Sequence, residues 1–208
     1  IGELQWRLAH GYEFKTNPVL EPLDHIECRD ALLVWSAAPA NETVATATEA
    51  PWPQASVVIG NPPFLGDKKM RSELGNTYTE ALRKTFEGRV PGGADLVCYW
   101  FEKARKAIET NGLGAAGLVA TQSIRAGSNR AVLSAICTTS KIYESWSDEA
   151  WVNDGAAVRV SLICFGHAAQ EAILNGAAVT QIAPDLSGIV DGLNLTTAAP
   201  LAANNGAA

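Results

Sequence analysis

The chain has 208 residues, of which 47% are apolar and 18% are charged, and its formal net charge is −6 at pH 7. This composition excludes a disordered or fibrous protein, because the chain has enough apolar residues to bury a core. The negative charge argues against a self-sufficient clamp on nucleic acid, whose phosphates supply most non-specific affinity. No apolar run reaches bilayer-spanning length and no basic-then-apolar leader opens the chain, so we expect no membrane partner and a cytoplasmic protein.

The first half of the chain contains two predicted strands separated by a loop. Residues 26–33 predict a strand. Residues 36–54, with several prolines among many Ala and Thr residues, predict an exposed insertion. The apolar, β-branched run at residues 55–60 then predicts a buried strand that ends at Gly60.

The rest of the chain alternates helical and extended patterns. The predicted elements are a helix over 76–87, a helix over 95–110, a strand over 117–121, a helix with Asn129 as its N-cap, and a strand over 158–165. The alternation predicts an α/β fold with a mostly parallel sheet, helices on both faces, and a site at the carboxyl ends of the strands. Residues 167–208 become rich in Ala, Gly and Asn, which predicts a linker or the start of a further region.

The sequence Asn61-Pro62-Pro63-Phe64 follows the second predicted strand. Two prolines fix φ and remove two N–H groups, so the loop presents hydrogen-bond acceptors. The Asn61 side-chain oxygen and the Pro62 carbonyl can accept both N–H groups of an exocyclic amine, which makes its nitrogen lone pair available. Phe64 can stack on a flat base. An ordinary Pro-Pro turn is the alternative, but four residue types and the strand together favour methylation of an amine.

These residues resemble those of N6-adenine DNA methyltransferases, which carry Asn-Pro-Pro-Tyr/Phe after the fourth strand of a class I, S-adenosylmethionine-dependent, Rossmann-like fold. The resemblance covers residues 25–166. Residues 26–33 resemble the family's third-strand motif, in which an Asp just past the strand binds the cofactor's adenine amine. Residues 95–104 resemble the helix after the catalytic loop, 117–121 the fifth strand, and 158–165 the late hairpin strand.

The resemblance implies specific site residues. It assigns S-adenosyl-L-methionine as the cofactor, bound by Asp30, Ala31 and Asn61, with Trp100 or Phe101 near its adenine. Trp151 lies where related enzymes keep an aromatic residue, so it and Phe64 are expected to sandwich a flipped adenine. The implied catalytic residues are Asn61, Pro62, Pro63 and Phe64.

A narrower similarity is to MmeI-type restriction-modification enzymes, which are large single chains that combine a nuclease, a methyltransferase and a target-recognition region. The matching residues run from Asn61 through Leu65-Gly66, Arg71, Leu74-Gly75, Tyr78, Arg89-Val90 and 121–125 to Asn129-Arg130. The implied partners are double-stranded DNA with a flipped adenine and the other domains of the same polypeptide. Residues 1–166 are then the C-terminal portion of the methyltransferase domain, and 167–208 a linker or the start of the target-recognition region.

One feature of the family is not found upstream of Asp30. The cofactor-binding glycine loop follows the first strand in these enzymes, and residues 1–24 contain no such turn. We therefore expect an excised piece of a larger protein, with a sheet incomplete on its N-terminal side and no activity in isolation. The G-x-G-x-x-G pattern at residues 112–117 is not a substitute, because it follows a helix and precedes a strand. It is interpreted as a turn that caps the helix.

Several basic residues are candidates for contacts with DNA phosphates. They are Lys68, Lys69, Arg71, Arg125 and Arg130. A solvated charged face is an equally good interpretation for the first three. The four cysteines, Cys28, Cys98, Cys137 and Cys164, are scattered among apolar runs and are interpreted as core thiols. With the three histidines equally scattered, no metal site is predicted.

The sequence therefore predicts transfer of a methyl group to adenine N6 in DNA, within a restriction-modification enzyme. Two alternatives stay open. Methyltransferases that act on the side-chain amide of a protein glutamine also carry Asn-Pro-Pro-Tyr and must polarise an NH2 group. The second alternative is that the chain is a non-catalytic module that contacts nucleic acid.

Overall fold

The structure is a computed structural model that describes residues 26–36, 46–153, 156–167 and 171–189. Its elements in chain order are β1 (Leu33–Ser36), β2 (Thr46–Glu49), β3 (Val57–Gly60), α1 (Asp67–Leu74), α2 (Asn76–Thr85), α3 (Val97–Thr110), β4 (Ala115–Thr121), a 3-10 helix (Gln122–Arg125), α4 (Gly127–Thr139), β5 (Lys141–Asn153), β6 (Ala156–Gly166), β7 (Ala172–Leu174), β8 (Ala177–Val179), β9 (Gln181–Ile182) and β10 (Gly188–Ile189). The α/β character that the sequence predicts is confirmed.

A six-stranded sheet in the order β3-β4-β6-β5-β7-β8 forms the centre of the described fold. The pairs β3–β4 and β5–β7 are parallel, whereas β4–β6, β5–β6 and β7–β8 are antiparallel. The expectation of a mostly parallel sheet is therefore wrong for this part of the chain. The reason is the long β5–β6 hairpin, which returns the chain directly and places β6 antiparallel beside β4. Helices α3 and α4 pack on the sheet and on each other, so they share one of its faces.

Strand β3 ends at Gly60, as the sequence predicts, but it is not a buried central strand. It pairs with β4 in the register Val57↔Ala115 to Gly60↔Leu118, and it has no second neighbour among the described residues. As a result Val57 is 52% and Ile59 85% exposed. The parallel pairing nevertheless places the segments that follow β3 and β4 at the same edge of the sheet.

The predicted strand over residues 26–33 begins only at Leu33. The Asp30 carboxylate accepts hydrogen bonds from the amides of Leu32 and Leu33, at 2.8 and 3.2 Å. A short side chain that binds the next amides in the chain competes with ladder pairing, so residues 26–32 are irregular. Asp30 therefore lies just before β1 and not just past a strand.

Part of the predicted insertion is built into the fold. Strand β2 pairs antiparallel with β1, from Leu33↔Glu49 to Ser36↔Thr46, and Ala50 is only 1% exposed. The expectation of an exposed loop is thus wrong for residues 46–50, whereas Pro51, Pro53 and Gln54 are exposed and belong to no strand or helix. Residues 37–45 lie outside the described residues. That this segment is an insertion relative to the family stays a prediction.

The core lies between α2, α3 and the sheet. Phe86 meets Tyr99 edge to face with ring centroids 5.2 Å apart, and Phe101 stacks on Phe165 of β6 at 5.8 Å. The predicted burial of Leu82 and Phe86 is confirmed, since both are fully buried. Helix α3 ends as predicted at a glycine turn, where Gly112 has φ 72° and the amide of Leu113 bonds the carbonyl of Ala107.

The sheet continues past residue 166. Strand β7 pairs parallel with β5 and antiparallel with β8, and the amide of Asn175 bonds the carbonyl of Ser145. The predicted change at residue 166 therefore does not coincide with a break in the sheet. The division into a methyltransferase portion and a following linker or recognition region stays a prediction, and residues 190–208 lie outside the described ones.

The Phe101–Phe165 stack tests this core. We expect Phe165→Ala to lower the free energy of unfolding by about 3–5 kcal/mol, because it removes a fully buried ring and leaves a cavity. Differential scanning calorimetry of the protein that contains the domain measures the change. Ile173→Ala is the control, since Ile173 is 38% exposed and should change the unfolding temperature little. Equal effects of the two substitutions would contradict the core described here.

Candidate active site

The Asn-Pro-Pro-Phe loop (Asn61–Phe64) directly follows β3 at the carboxyl edge of the sheet. Pro62 is buried, whereas Asn61, Pro63 and Phe64 are exposed. The buried proline anchors the loop and fixes its backbone, and the exposed asparagine side chain stays available to a ligand. The loop therefore combines a rigid backbone with an exposed Asn61 side chain, and its role in binding an amine stays a prediction.

A cleft of about 280 Å³ opens beside this loop. The first three residues of the loop line it together with Trp52 and Trp100. Trp100 of α3 is half-buried and borders the cleft, whereas Phe101 is fully buried against Phe165. Of the two aromatic residues that the resemblance places near a cofactor adenine, only Trp100 can therefore contact a ligand in this cleft.

Trp52 joins the cleft to the segment that contains Asp30. Its indole N–H donates to the carbonyl of Ala31 at 2.9 Å, and its ring lies 5.0 Å from the ammonium of Lys103. Lys103 is itself buried, donates to the carbonyl of Ala50 and lies 3.6 Å from Glu49, and burial lowers the pKa of its ammonium. Sequence reasoning missed Trp52, which lies in the proline-rich stretch interpreted as an insertion.

Asp30 has a fixed orientation although its side chain is exposed. Its carboxylate accepts the amide N–H groups of Leu32 and Leu33, just before and at the start of β1. Burial and, to a smaller extent, the Asp30 carboxylate raise the pKa of Tyr78 in α2, so its hydroxyl stays protonated beside Asp30. Tyr78 was predicted to be a core residue; it is half-buried and packs against the core.

Phe64 and Trp151 lie on separate elements. Phe64 is 36% exposed in the loop, and Trp151 is 37% exposed in the distal part of the β5–β6 hairpin, opposite Val158. Strand β5 has a register shift between Trp146 and Glu149 that precedes Trp151. The two rings make no contact with each other among the described residues, so their sandwich around a base stays a prediction.

The candidate phosphate-binding residues differ in their surroundings. Lys68 and Lys69 are exposed on α1 and make no ion pair within the described part of the chain. Arg71 is paired with Glu80 at 3.0 Å and lies 3.3 Å from the Asn76 side-chain oxygen. Arg71 is therefore partly neutralised within the protein.

The other two candidate cations follow β4. Arg125 ends the 3-10 helix near Asp148, whose carboxylate is bonded to Arg159, and the arginines hold the pKa of Asp148 below its usual range. Arg130 is exposed on α4. The role of all five residues in phosphate binding stays a prediction.

Asn129 is not the N-cap of its helix, which begins at Gly127. Its amide group is buried, donates to a carboxylate oxygen of Asp95 at 2.7 Å and accepts the amide N–H of Asp95 at 2.7 Å. The prediction failed because the partner is 34 residues away in the sequence, where local cap statistics carry no signal. The sequence analysis assigned Asp95 only to a predicted helix, so its hydrogen bonds to distant residues were also missed.

Comparison with known proteins decides the family. The family model of the MmeI DNA-methyltransferase domain matches residues 5–175. The chain belongs to the MmeI DNA-methyltransferase domain family. It is also similar to a solved structure of the Type IIL restriction-modification enzyme MmeI in complex with DNA, with 28% identity and a TM-score of 0.52. That match covers 65% of this chain and 20% of the MmeI chain, so the chain spans about a fifth of that enzyme. Curated protein sequences gave no match.

The cysteines of this family member are free thiols in unequal environments. Cys98 is buried, Cys137 and Cys164 are half-buried, and Cys28 is exposed, so the prediction of a core thiol is wrong for Cys28. Cys28 belongs to the irregular segment before β1, which packs loosely. The described residues contain no group of three His, Cys, Asp or Glu side chains that could hold a metal ion. Nor do they include a helix of sufficient length and apolarity to cross a bilayer.

The Cys98 thiol contacts the buried Asn129. Burial and the nearby Asp95 carboxylate raise the pKa of this thiol. Because only the thiolate reacts, we expect Cys98 to resist iodoacetamide at pH 8 in the folded protein. The exposed Cys28 should be alkylated, and unfolding in urea should make both reactive. Mass-spectrometric peptide mapping measures each site. Rapid labelling of Cys98 in the folded protein would show that this region is more open than described.

Proposed function

We propose that this chain is part of an enzyme that transfers a methyl group from S-adenosyl-L-methionine to adenine N6 in DNA. The observation that carries the proposal is the position of the Asn-Pro-Pro-Phe loop. In a member of the MmeI DNA-methyltransferase domain family, this loop lies at the carboxyl end of β3 and borders a cleft flanked by two tryptophans. Family membership favours a nucleobase over a protein glutamine as the substrate.

The Asn-Pro-Pro-Phe loop would polarise the amine. The side-chain oxygen of Asn61 accepts one N6–H and the Pro62 carbonyl accepts the other, which localises the nitrogen lone pair. An amine held by these two acceptors would be oriented to take the methyl group that the cofactor supplies, with its extra proton passing to water. Positioning of the reactants supplies most of the rate in such a reaction, so a stiff loop is an advantage.

The residues near the cleft fit the adenosine part of the cofactor. Trp52 and Trp100 supply flat apolar surfaces for a purine, and the exposed carboxylate of Asp30 supplies an acceptor for its exocyclic amine. The indole N–H of Trp52 holds the Ala31 carbonyl, and this bond connects the two parts of the proposed site. When bound, the cofactor supplies the sulfonium methyl group that the amine attacks.

The proposed DNA contacts lie on the same side of the sheet. Phe64 stacks on the flipped base, and Trp151 covers its other face. Lys68 and Lys69, just after the loop, and Arg125 and Arg130, after β4, contact flanking phosphates. Recognition of a DNA sequence and any cleavage belong to other domains of the same polypeptide, as in the MmeI enzyme whose chain is about five times longer than the matched part.

The experiment that tests the proposed function uses the full-length protein, tritiated S-adenosylmethionine and plasmid DNA of diverse sequence. We expect label in N6-methyladenine after the DNA is digested to nucleosides. Label in protein and none in DNA would move the assignment to a glutamine substrate. No label in either would support a non-catalytic module.

Asn61→Ala in the same assay tests the role of the loop. We expect methylation to fall at least about 100-fold, since an acceptor of this kind contributes about 3 kcal/mol to the transition state. Cofactor binding, measured by isothermal titration calorimetry, should fall far less, because the contacts from Asp30 and Ala31 remain. Asn111→Ala, an exposed asparagine at the end of α3, is the matched control and should keep full activity. Activity retained by Asn61→Ala would refute the assigned role.

Asp30→Ala should weaken cofactor binding by about 10- to 100-fold, because it removes a charged acceptor of the adenine amine. Asp30→Asn should have a smaller effect, since its amide oxygen still accepts the Leu32 N–H. Titration calorimetry measures both. Asp185→Ala, on the loop between β9 and β10, is the control and should bind cofactor like the unmodified protein. Unchanged affinity in Asp30→Ala would mean that the third-strand motif is misplaced.

A further inference from the structure

Asp95 lies at the centre of a hydrogen-bonded group that joins three segments at the carboxyl edge of the sheet. The group, here called the Asp95 cluster, consists of Asp95, Asp67, Ser123 and Asn129. We propose that Asp95 is a positioning residue that fixes the far end of the Asn-Pro-Pro-Phe loop against the end of β4. The effect on methyl transfer rests on the proposed function, whereas the anchoring itself does not.

The first half of the cluster holds the end of the loop. One carboxylate oxygen of Asp95 accepts the amide N–H of Asp67, the first residue of α1, at 3.0 Å. The N-cap residue, Gly66, has no side chain to accept a first-turn amide, so the carboxylate from a distant segment takes that role. The amide of Leu96 also bonds the carbonyl of Leu65 at 2.8 Å. Two bonds from the start of α3 therefore hold the chain just after Phe64.

The second half of the cluster connects this anchor to the segment after β4. The other carboxylate oxygen of Asp95 accepts the Ser123 hydroxyl at 2.9 Å and the Asn129 amide group at 2.7 Å. Asn129 is 6% exposed, and its oxygen accepts the Asp95 amide N–H at 2.7 Å. Both ends of the Asn129 side chain thus bind Asp95, and this reciprocal pairing fixes the orientation of both side chains.

Anchoring at this point matters because the loop is stiff. Its near end follows β3, whose register is set by pairing with β4, and its far end is held by the Asp95 cluster. Two prolines transmit a displacement at either end to the Asn61 side chain, since they leave few dihedral angles to absorb it. A displacement of about 1 Å can reduce the rate of a reaction that depends on in-line geometry about 100-fold. The cluster therefore sets where the amine acceptors lie.

Three variants of the full-length protein test the pairing. Asp95→Asn places two NH2 groups against each other, and Asn129→Asp places two carboxylates against each other. The exchanged double variant, Asp95→Asn with Asn129→Asp, restores one donor against one acceptor and keeps an oxygen for the Asp67 amide. Asp185→Asn is the matched control, because Asp185 also accepts a backbone amide and a hydroxyl, those of Ser187, far along the chain from the loop.

We expect each single variant to slow single-turnover methylation about 10- to 100-fold, and the exchanged variant to recover most of that loss. Cofactor affinity should stay close to that of the unmodified protein. The unfolding temperature should fall in the single variants, because they break a buried hydrogen-bonded pair, and recover in the exchanged variant, so the rates are measured well below it. Hydrogen-deuterium exchange should be faster in the single variants at peptides that cover residues 61–70, and restored in the exchanged variant. Asp185→Asn should match the unmodified protein in all four measurements.

Two results would overturn the proposal. One is protection of residues 61–70 from exchange in both single variants that equals the protection in the unmodified protein. This result would show that the Asp95 cluster does not anchor the loop, whether or not the protein methylates DNA. The other is faster exchange at these residues with an unchanged single-turnover rate. A protein that methylates no adenine at all would refute the proposed function, and exchange at residues 61–70 would still decide the anchoring.

Discussion

The parallel pairing of β3 with β4 is the constraint on which the candidate site depends. Because the two strands run in the same direction and in register, the Asn-Pro-Pro-Phe loop and the 3-10 helix after Thr121 leave the sheet at one edge. The local sequence of neither segment determines that they meet, since about 60 residues and three helices separate them along the chain. Once paired, they place amine acceptors and a basic segment on the same side of the molecule.

A buried group of charges supports the other side of the cleft. Glu102 in α3 is 1% exposed and accepts hydrogen bonds from Nε and Nη2 of Arg105, at 2.7 and 2.9 Å. Glu49 of β2 binds Arg89 at 2.6 Å and lies 3.6 Å from Lys103. The Glu49–Lys103 pair ties β2 to α3 beside Trp52, and the Glu49–Arg89 pair ties it to the segment after α2. Buried pairs add little net stability but are costly to break, so they fix the position of the hairpin more than they strengthen the fold.

The sequence predicts this site where the chemistry is local and fails where it depends on distant residues. The Asn-Pro-Pro-Phe loop was identified because four adjacent residues and the preceding run of apolar residues carry the whole signal. Trp52 was missed because its proline-rich surroundings are typical of a loop, while its partner Ala31 is 21 residues away. Asp30 was expected just past a strand but lies just before β1, because its carboxylate takes the amides of Leu32 and Leu33.

The sheet topology failed for a related reason. Apolar periodicity gives the type of an element and not its direction, so β6 was identified as a strand while its antiparallel pairing with β4 was not. The family resemblance did contain the correct signal, since it described this strand as part of a late hairpin. A hairpin strand must run against its partner, so that description was the better guide to the sheet.

The distribution of charge is consistent with local contacts to DNA and not with a general clamp. Most described arginines near the site have an acidic partner, and an ion pair lowers the attraction that a cation exerts on a phosphate. The pairs are Arg71–Glu80, Arg83–Asp67, Arg89–Glu49 and Arg159–Asp148. Lys68, Lys69 and Arg130 make no such pair within the described residues. These three flank the loop and the end of β4, which is the position that the proposed contacts to DNA phosphates require. The net charge of −6 disfavours a large sequence-independent affinity of this chain for nucleic acid.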